Sequence, residues 1–83
     1  MDVYVGIKDK KHAEKVIKQL VIIGYNEWLR LGTTPLSDTR VIGVFSDGDY
    51  QLLESNINEY NLIKPKDVMK SEPVKYFLEH NHV

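Results

Sequence analysis

The chain has 83 residues, no cysteine, 42% hydrophobic residues and a formal net charge of −1. The length predicts a single domain over residues 1–83, and the composition is typical of a soluble globular protein. The N-terminus lacks the charged and apolar regions of a signal peptide, so we expect a cytoplasmic protein. The sequence excludes disulfides, thiol catalysis and cysteine-bound zinc. No apolar run approaches the ~20 residues of a membrane helix, and the near-neutral charge argues against a general nucleic-acid binder.

The first 25 residues predict a strand and a helix, and we expect the domain to begin at the first residue. Residues 2–7 alternate between two faces, which is typical of a strand with one face on a core. A helix is predicted from the N-cap Asp9 to about residue 23, with Gly24 as C-cap. Its apolar stripe comprises Ala13, Val16, Ile17, Leu20 and Ile23, broadened by Val21 and Ile22.

The middle of the chain predicts two more strands. Residues 25–31 form the second, with Trp28 and Arg30 on one face, and a polar loop follows over residues 32–39. Residues 40–45 are apolar on both faces, which predicts the central strand of the sheet.

After the turn at residues 46–49, two alternatives remain open. Residues 50–54 can pair back as a hairpin strand, or residues 50–60 can form a helix, and the turn chemistry favours the hairpin. Residues 61–64 are predicted to be extended because Pro65 disfavours helix before it. Pro65 then opens a short helix to Met69, a last helical piece covers residues 74–78, and residues 79–83 are expected to fray.

Together these elements predict an α+β fold. We expect a small three- or four-stranded, mainly antiparallel sheet with one long helix packed on one face and a short C-terminal helix. One long helix leaves the second sheet face uncovered, with Tyr4, Trp28 and Arg30 on it. Because the central strand is apolar on both faces, we predict self-association, most simply as a symmetric homodimer.

Two groups of residues are candidates for ligand binding. The turn with Ser46, Asp47 and Asp49 can coordinate a cation or bind a ribose, or it is simply a solvated turn. The aromatic face with Trp28, Arg30 and Tyr4 can stack a base or anchor a partner protein, or it simply covers the sheet.

The first helix also carries a basic face with Lys11, Lys15 and Lys18, which can meet phosphate groups or remain solvated. Between residues 41 and 63 the chain has acidic but no basic residues, so a basic end and an acidic end are expected.

No motif predicts catalysis. The chain lacks a Gly-x-Ser-x-Gly context, a glycine-rich phosphate loop and the twelve-residue spacing of an EF-hand. His80 and His82 have no evident third metal ligand. We therefore predict no enzymatic activity, no metal site and no cofactor.

Several motifs, in order along most of the chain, resemble a loose group of very small, mostly bacteriophage-encoded proteins of largely unassigned function. They are residues 3–5, Ala13 with Val16, Gly24-Tyr25, Trp28, residues 41–45, residues 47–50 and residues 63–69. The resemblance implies a non-catalytic viral protein of the host cytoplasm. It would bind, sequester or inhibit a host component, either a host protein or a small signalling nucleotide.

A second, local resemblance is to CBS domains, which commonly bind adenine nucleotides. Residues 41–49 look like the Gly-apolar-apolar-Thr/Ser-x-x-Asp motif of that family, and residues 66–69 with Pro73 look like its opening segment. The resemblance implies that Ser46 contacts phosphate or ribose and that Asp49 accepts hydrogen bonds from ribose hydroxyls. An interaction domain without a small ligand is the third alternative.

Overall fold

The computed structural model describes residues 2–29, 32–54 and 61–80, and these residues form an α+β fold. The strands are β1 (Val3–Gly6), β2 (Asn26–Glu27), β3 (Val41–Val44), β4 (Asp49–Leu53) and β5 (Leu62–Ile63). The α-helices are α1 (Lys10–Ile22) and α2 (Glu72–His80), and 3-10 helices cover Leu36–Asp38 and Pro65–Lys70.

The described strands form one mixed sheet with the order β2-β4-β3-β1-β5. The three inner strands pair antiparallel, as predicted, whereas the edge strands β2 and β5 pair in parallel with β4 and β1. The sheet therefore has more strands than the three or four predicted. Each edge strand has only two residues, which is too short for a hydrophobic alternation that sequence reasoning can recognise.

The strand predicted over residues 25–31 is shorter than expected. Only Asn26 and Glu27 pair with β4 as a strand, and the last bond of this pairing runs from the Trp28 N–H to the Tyr50 carbonyl at 2.7 Å. Tyr25 is instead buried in the core. Arg30, which was predicted beside Trp28, lies outside the described residues.

Strand β3 is the centre of the sheet, which confirms the prediction from its two apolar faces. All four of its residues are buried. The register places Ile42 opposite Val5 of β1 and opposite Leu52 of β4. Because side chains alternate along a strand, these three residues face the same core.

Helix α1 begins and ends where the sequence predicts. The Asp9 carboxylate accepts a hydrogen bond from the backbone N–H of His12 at 2.9 Å, and this bond lowers the pKa of Asp9. Gly24 follows the helix with a φ of +110°, a conformation that glycine adopts without strain. Val21 and Ile22, expected to broaden the buried stripe, are 51% and 74% exposed. That part of the prediction is wrong.

The described part of the segment after the turn is a hairpin strand rather than a helix. Strand β4 pairs antiparallel with β3, and Gly48 in the connecting turn has a φ of +96°. Asx-turn chemistry supports the turn, because the Asp47 carboxylate accepts the N–H of Asp49 at 3.1 Å. Residues 55–60, where the helical alternative would continue, lie outside the described residues.

The C-terminal part of the chain closes the core. Pro65 opens a 3-10 helix, as predicted, and α2 is longer than the predicted residues 74–78. Phe77 of α2 packs edge-on against Tyr25, with ring centroids 4.7 Å apart, and the Tyr25 hydroxyl donates to the Phe45 carbonyl at 2.7 Å. Residues from both α-helices therefore belong to the same core, so α1 does not cover it alone.

The second sheet face is less open than the sequence suggests. Tyr4 and Phe45 are half-buried, and Val41 is fully buried. A Cβ atom added at Gly43 would lie 3.0 Å from Phe45 Cζ and 3.3 Å from Tyr4 Cε1. The glycine in the central strand thus lets the two aromatic rings lie over the backbone and cover part of this face.

Substituting Gly48 with alanine should destabilise the fold strongly. The added Cβ would lie 2.5 Å from Phe77 Cε1 and would hold a positive φ, so we expect a loss of about 2–5 kcal/mol. Gly32 is the matched control, since its φ is +91° and no atom of the described residues lies within 4 Å of its added Cβ. Gly32→Ala should cost only about 1–2 kcal/mol in urea unfolding. Equal losses at the two positions would contradict the packing of Phe77 over the turn.

Removing the Tyr25 hydroxyl should lower the free energy of unfolding and change its pH dependence in alkaline solution. Tyr25→Phe loses the hydrogen bond to the Phe45 carbonyl, which is worth about 1 kcal/mol. Burial, and then the negative charge of nearby carboxylates, raises the pKa of Tyr25 from 10.0 to about 12. The unfolded chain therefore loses this proton first, and stability falls as the pH rises from 10 toward 12.

The phenylalanine variant should lack this part of the alkaline loss of stability, measured as urea unfolding at pH 8 to 11.5. Tyr76→Phe is the control, because the Tyr76 hydroxyl makes no hydrogen bond to the described residues and the side chain is 40% exposed. If both variants showed the same pH dependence, the raised pKa of Tyr25 would not be a cause of the loss of stability at alkaline pH.

Candidate functional site

Four of the six predicted binding residues lie around one depression. Trp28, Ser46, Asp47 and Asp49 line it together with Asp2 and Phe45, and its volume is about 380 Å³. The hairpin turn supplies the polar residues, and the Trp28 and Phe45 rings meet edge-on with centroids 6.5 Å apart. We call this depression the acidic pocket, since three of its six lining residues are aspartates.

Tyr4 lies beside the acidic pocket rather than in it. Its ring and the ring of Phe45 meet above Gly43 on the same sheet face. The sixth predicted residue, Arg30, lies outside the described residues.

The carboxylates of the acidic pocket act on each other and on Tyr25. Burial, and then the charge of Asp47, raises the pKa of Asp49. After burial, the charges of Asp47, Asp2 and Asp49 contribute to the raised pKa of Tyr25. The negative potential there favours a cationic group and opposes a phosphate.

A metal site is not evident in the described structure. Among residues 2–29, 32–54 and 61–80, no three His, Asp or Glu side chains are grouped so that they can hold a metal ion. His80 stacks on Tyr76 with ring centroids 4.0 Å apart, and its Nδ1 atom lies 2.9 Å from the carbonyl of Tyr76. His82 lies outside the described residues.

A larger depression, which the sequence reasoning did not assemble, lies at the opposite end of β1. Its volume is about 860 Å³. It runs between α1 and the segment that leads from β5 into the second 3-10 helix, with the end of β1 as its floor. We call it the basic groove, and its lining residues are Gly6, Ile7, Lys8, His12, Lys15, Val16, Gln19, Leu62, Lys64, Pro65 and Lys66.

Helix periodicity explains one wall of the basic groove. His12, Lys15 and Gln19 are spaced by three and four residues, so they share one face of α1. Lys11 and Lys18 of the predicted basic face do not line the groove. Of the three lysines predicted to meet phosphate groups, only Lys15 therefore lies in the basic groove.

The cations of the basic groove have no acidic neighbours in its lining. Among the described residues, four lysines line it, and no aspartate or glutamate does. The described residues contain one ion pair, between Lys10 and Glu14 at 4.0 Å, and neither residue belongs to the groove. All four lysines are exposed, so their ammonium groups can meet a ligand at little desolvation cost.

Below these cations, the groove has an apolar floor. Val16 is 1% exposed and Ile7 is 6% exposed, and both belong to the core. Leu62 and Pro65 are half-buried along the wall. No described residue of the lining carries a hydroxyl or carboxylate side chain. The described lining therefore offers charge and apolar surface to a ligand but no nucleophile paired with a base.

Sequence reasoning missed the groove because its cations are far apart in the chain. Lys64 and Lys66 follow Lys15 by about fifty residues and reach it only through the parallel pairing of β5 with β1. The available signal was the cluster of lysines on both sides of Pro65. Without a partner strand for residues 62–63, that cluster had no location on the fold.

Comparisons with protein-family models, curated proteins and solved structures found no match to this chain. The resemblances to small phage-encoded proteins and to CBS domains therefore stay predictions. None of the described helices has the length and apolar character that crossing a membrane requires.

Proposed function

We propose that this chain is a non-catalytic binding protein that holds a small phosphate-bearing molecule in the basic groove. The observation that carries the proposal is the convergence of Lys8, Lys15, Lys64 and Lys66 on one depression of about 860 Å³, where none of the four pairs with a carboxylate of the described residues. Ligand pockets commonly have volumes of about 300–1,000 Å³ and combine apolar walls with a few convergent polar groups.

The net charge of −1 does not oppose this proposal, because the described linings of the two depressions differ in charge. The acidic pocket includes Asp2 before β1, and the basic groove includes Lys8 after it. Four residues of strand span about 13 Å, which exceeds the Debye length of about 8 Å at physiological ionic strength. The positive potential of the groove is therefore only weakly cancelled by the aspartates.

The biological setting of the proposal comes from the resemblance to small phage-encoded proteins. Such a protein would act in the host cytoplasm by sequestering a host molecule. Of the two predicted targets, a host protein and a small signalling nucleotide, the groove favours the nucleotide. A host protein remains the second target class, for which Trp28 in the acidic pocket is the aromatic anchor.

The CBS-like alternative places the phosphate elsewhere. It would use Ser46 and Asp49, which share the acidic pocket with Asp2 and Asp47. Three carboxylates there oppose a phosphate group, whereas the basic groove attracts one. The geometry thus favours the groove as the phosphate site.

Removing two groove lysines should abolish stabilisation by phosphate-bearing ligands. In a thermal-shift assay with pyrophosphate and adenosine monophosphate, the wild-type chain should gain about 1.4 kcal/mol at a ligand concentration ten times Kd, a shift of several degrees. Lys64→Gln/Lys66→Gln should show little or no shift, because the unpaired cations of one wall are lost.

Two controls make this assay specific. Lys11→Gln/Lys18→Gln removes the same charge from outside the groove and should keep the full shift. Ser46→Ala should also keep it, whereas a lost shift in that variant would support the CBS-like alternative. If neither ligand raised the melting temperature of the wild type, the proposed function would be refuted.

Self-association is the second part of the proposal. Because the second sheet face is partly covered by Tyr4 and Phe45, the apolar surface available to a second copy lies instead at the end of α1. Ile22 is 74% exposed there, and its neighbour Val21 is 51% exposed. Leu29, beyond β2, is 58% exposed.

Sedimentation velocity tests this part. We expect the wild-type chain to sediment as a homodimer and Ile22→Glu to sediment as a monomer, since a carboxylate would be buried without a partner. Glu14→Gln on the exposed side of the same helix is the control and should leave the dimer intact. A wild-type monomer at concentrations up to about 100 µM would contradict self-association, since a weaker dimer has little binding energy.

A further inference from the structure

The four lysines of the basic groove, which form no ion pair with the described residues, indicate how many phosphate groups the ligand carries. The four lysines come from three stretches of the chain: the loop after β1, helix α1 and the two sides of Pro65. They stand on different walls of one depression. A single phosphate group carries a charge of only about −1.5 to −2 at pH 7, so it cannot balance all four lysines.

The exposure of the lysines makes the number of contacts decisive. Contacts between exposed charges are individually weak, because water and salt screen them. A ligand with one phosphate group therefore gains little binding free energy from these contacts. A ligand with two or three linked phosphates can meet more of the lysines and gains more. Such a ligand also brings enough negative charge to balance the four ammonium groups.

The apolar residues in the lining of the groove favour a ligand that also has an apolar component. Val16 and Ile7 are nearly fully buried beneath the groove, and Leu62 forms part of its wall. Gly6 in the floor has no side chain, and an added Cβ would lie 3.2 Å from Leu62 Cδ1. The apolar surface open to a ligand is therefore mainly that of Leu62 and Pro65, which are half-buried along the wall, and it suits a flat, weakly polar group such as a nucleobase.

From these observations we infer that the basic groove takes a nucleoside polyphosphate. The lysines bind two or more linked phosphates, and the surface formed by Leu62 and Pro65 covers the base. This inference rests on the proposed function and narrows it from phosphate-bearing molecules in general to one chemical class.

Isothermal titration calorimetry of the full chain in low-salt, magnesium-free buffer tests the inference with three probes. They are adenosine triphosphate, adenosine monophosphate and inorganic tripolyphosphate. We expect the triphosphate to bind roughly tenfold more tightly than the monophosphate, because additional charge contacts form. It should bind roughly fivefold more tightly than tripolyphosphate, because the base covers apolar surface.

Two variants separate the components of binding. Lys8→Gln/Lys15→Gln should reduce the preference for adenosine triphosphate over adenosine monophosphate to less than about threefold, since the cations of α1 and of the loop after β1 are lost. Leu62→Asn should weaken adenosine triphosphate but leave tripolyphosphate unchanged. Melting temperatures of both variants show whether they remain folded, and Lys11→Gln/Lys18→Gln again controls for the loss of charge.

Each outcome decides between the two levels of the proposal. If the monophosphate bound as tightly as the triphosphate, the inference would be overturned while the proposed function would stand. If tripolyphosphate matched adenosine triphosphate, the nucleoside would be excluded and the groove would be a site for inorganic anions. If no probe bound, both the inference and the proposed function would fail.

Discussion

Burial of strand β3 on both faces is the constraint on which the arrangement of this protein depends. Each of its four residues is buried, and its backbone pairs with β1 on one side and β4 on the other. Antiparallel pairing on both sides brings the start of β1, the end of β3 and the hairpin turn to one end of the sheet. The end of β1 and the loop after it lie at the other end.

This arrangement places a cluster of aspartates and a cluster of lysines at the two ends of β1, and we call these clusters the two poles. The aspartates that precede β1 and follow β3 meet in the acidic pocket, and Lys8 after β1 meets Lys15, Lys64 and Lys66 in the basic groove. Among the described residues, no ion pair joins the two poles. The negative net charge therefore describes neither pole, and the potential that a ligand meets depends on which end of the sheet it approaches.

A single aromatic side chain connects the C-terminal helix to both turns that bound the core. Phe77 of α2 lies against Tyr25 and fills the space that side chains at Gly24 and Gly48 would occupy. At both positions glycine adopts a left-handed backbone conformation without strain, and its missing side chain leaves space for this ring. Because Tyr25 also donates to the Phe45 carbonyl, the packing of α2 supports the end of the sheet at which the acidic pocket forms.

The amino-acid sequence by itself determined the elements with strong local signals: the Asp9 cap, the buried stripe of α1, the Gly24 stop and the central strand. For the segment after the turn it favoured a hairpin but left a helix open. It also placed Ser46, Asp47 and Asp49 in one turn. These features depend on interactions between neighbouring residues, so a linear pattern contains them. Only the tertiary structure decided that Trp28 joins that turn, that Tyr4 and Phe45 cover part of the second face and that Val21 and Ile22 stay exposed. It alone brought Lys64 and Lys66 to Lys15, because a two-residue strand leaves no periodic signal and its pairing with β1 is chosen by packing across some fifty residues of chain.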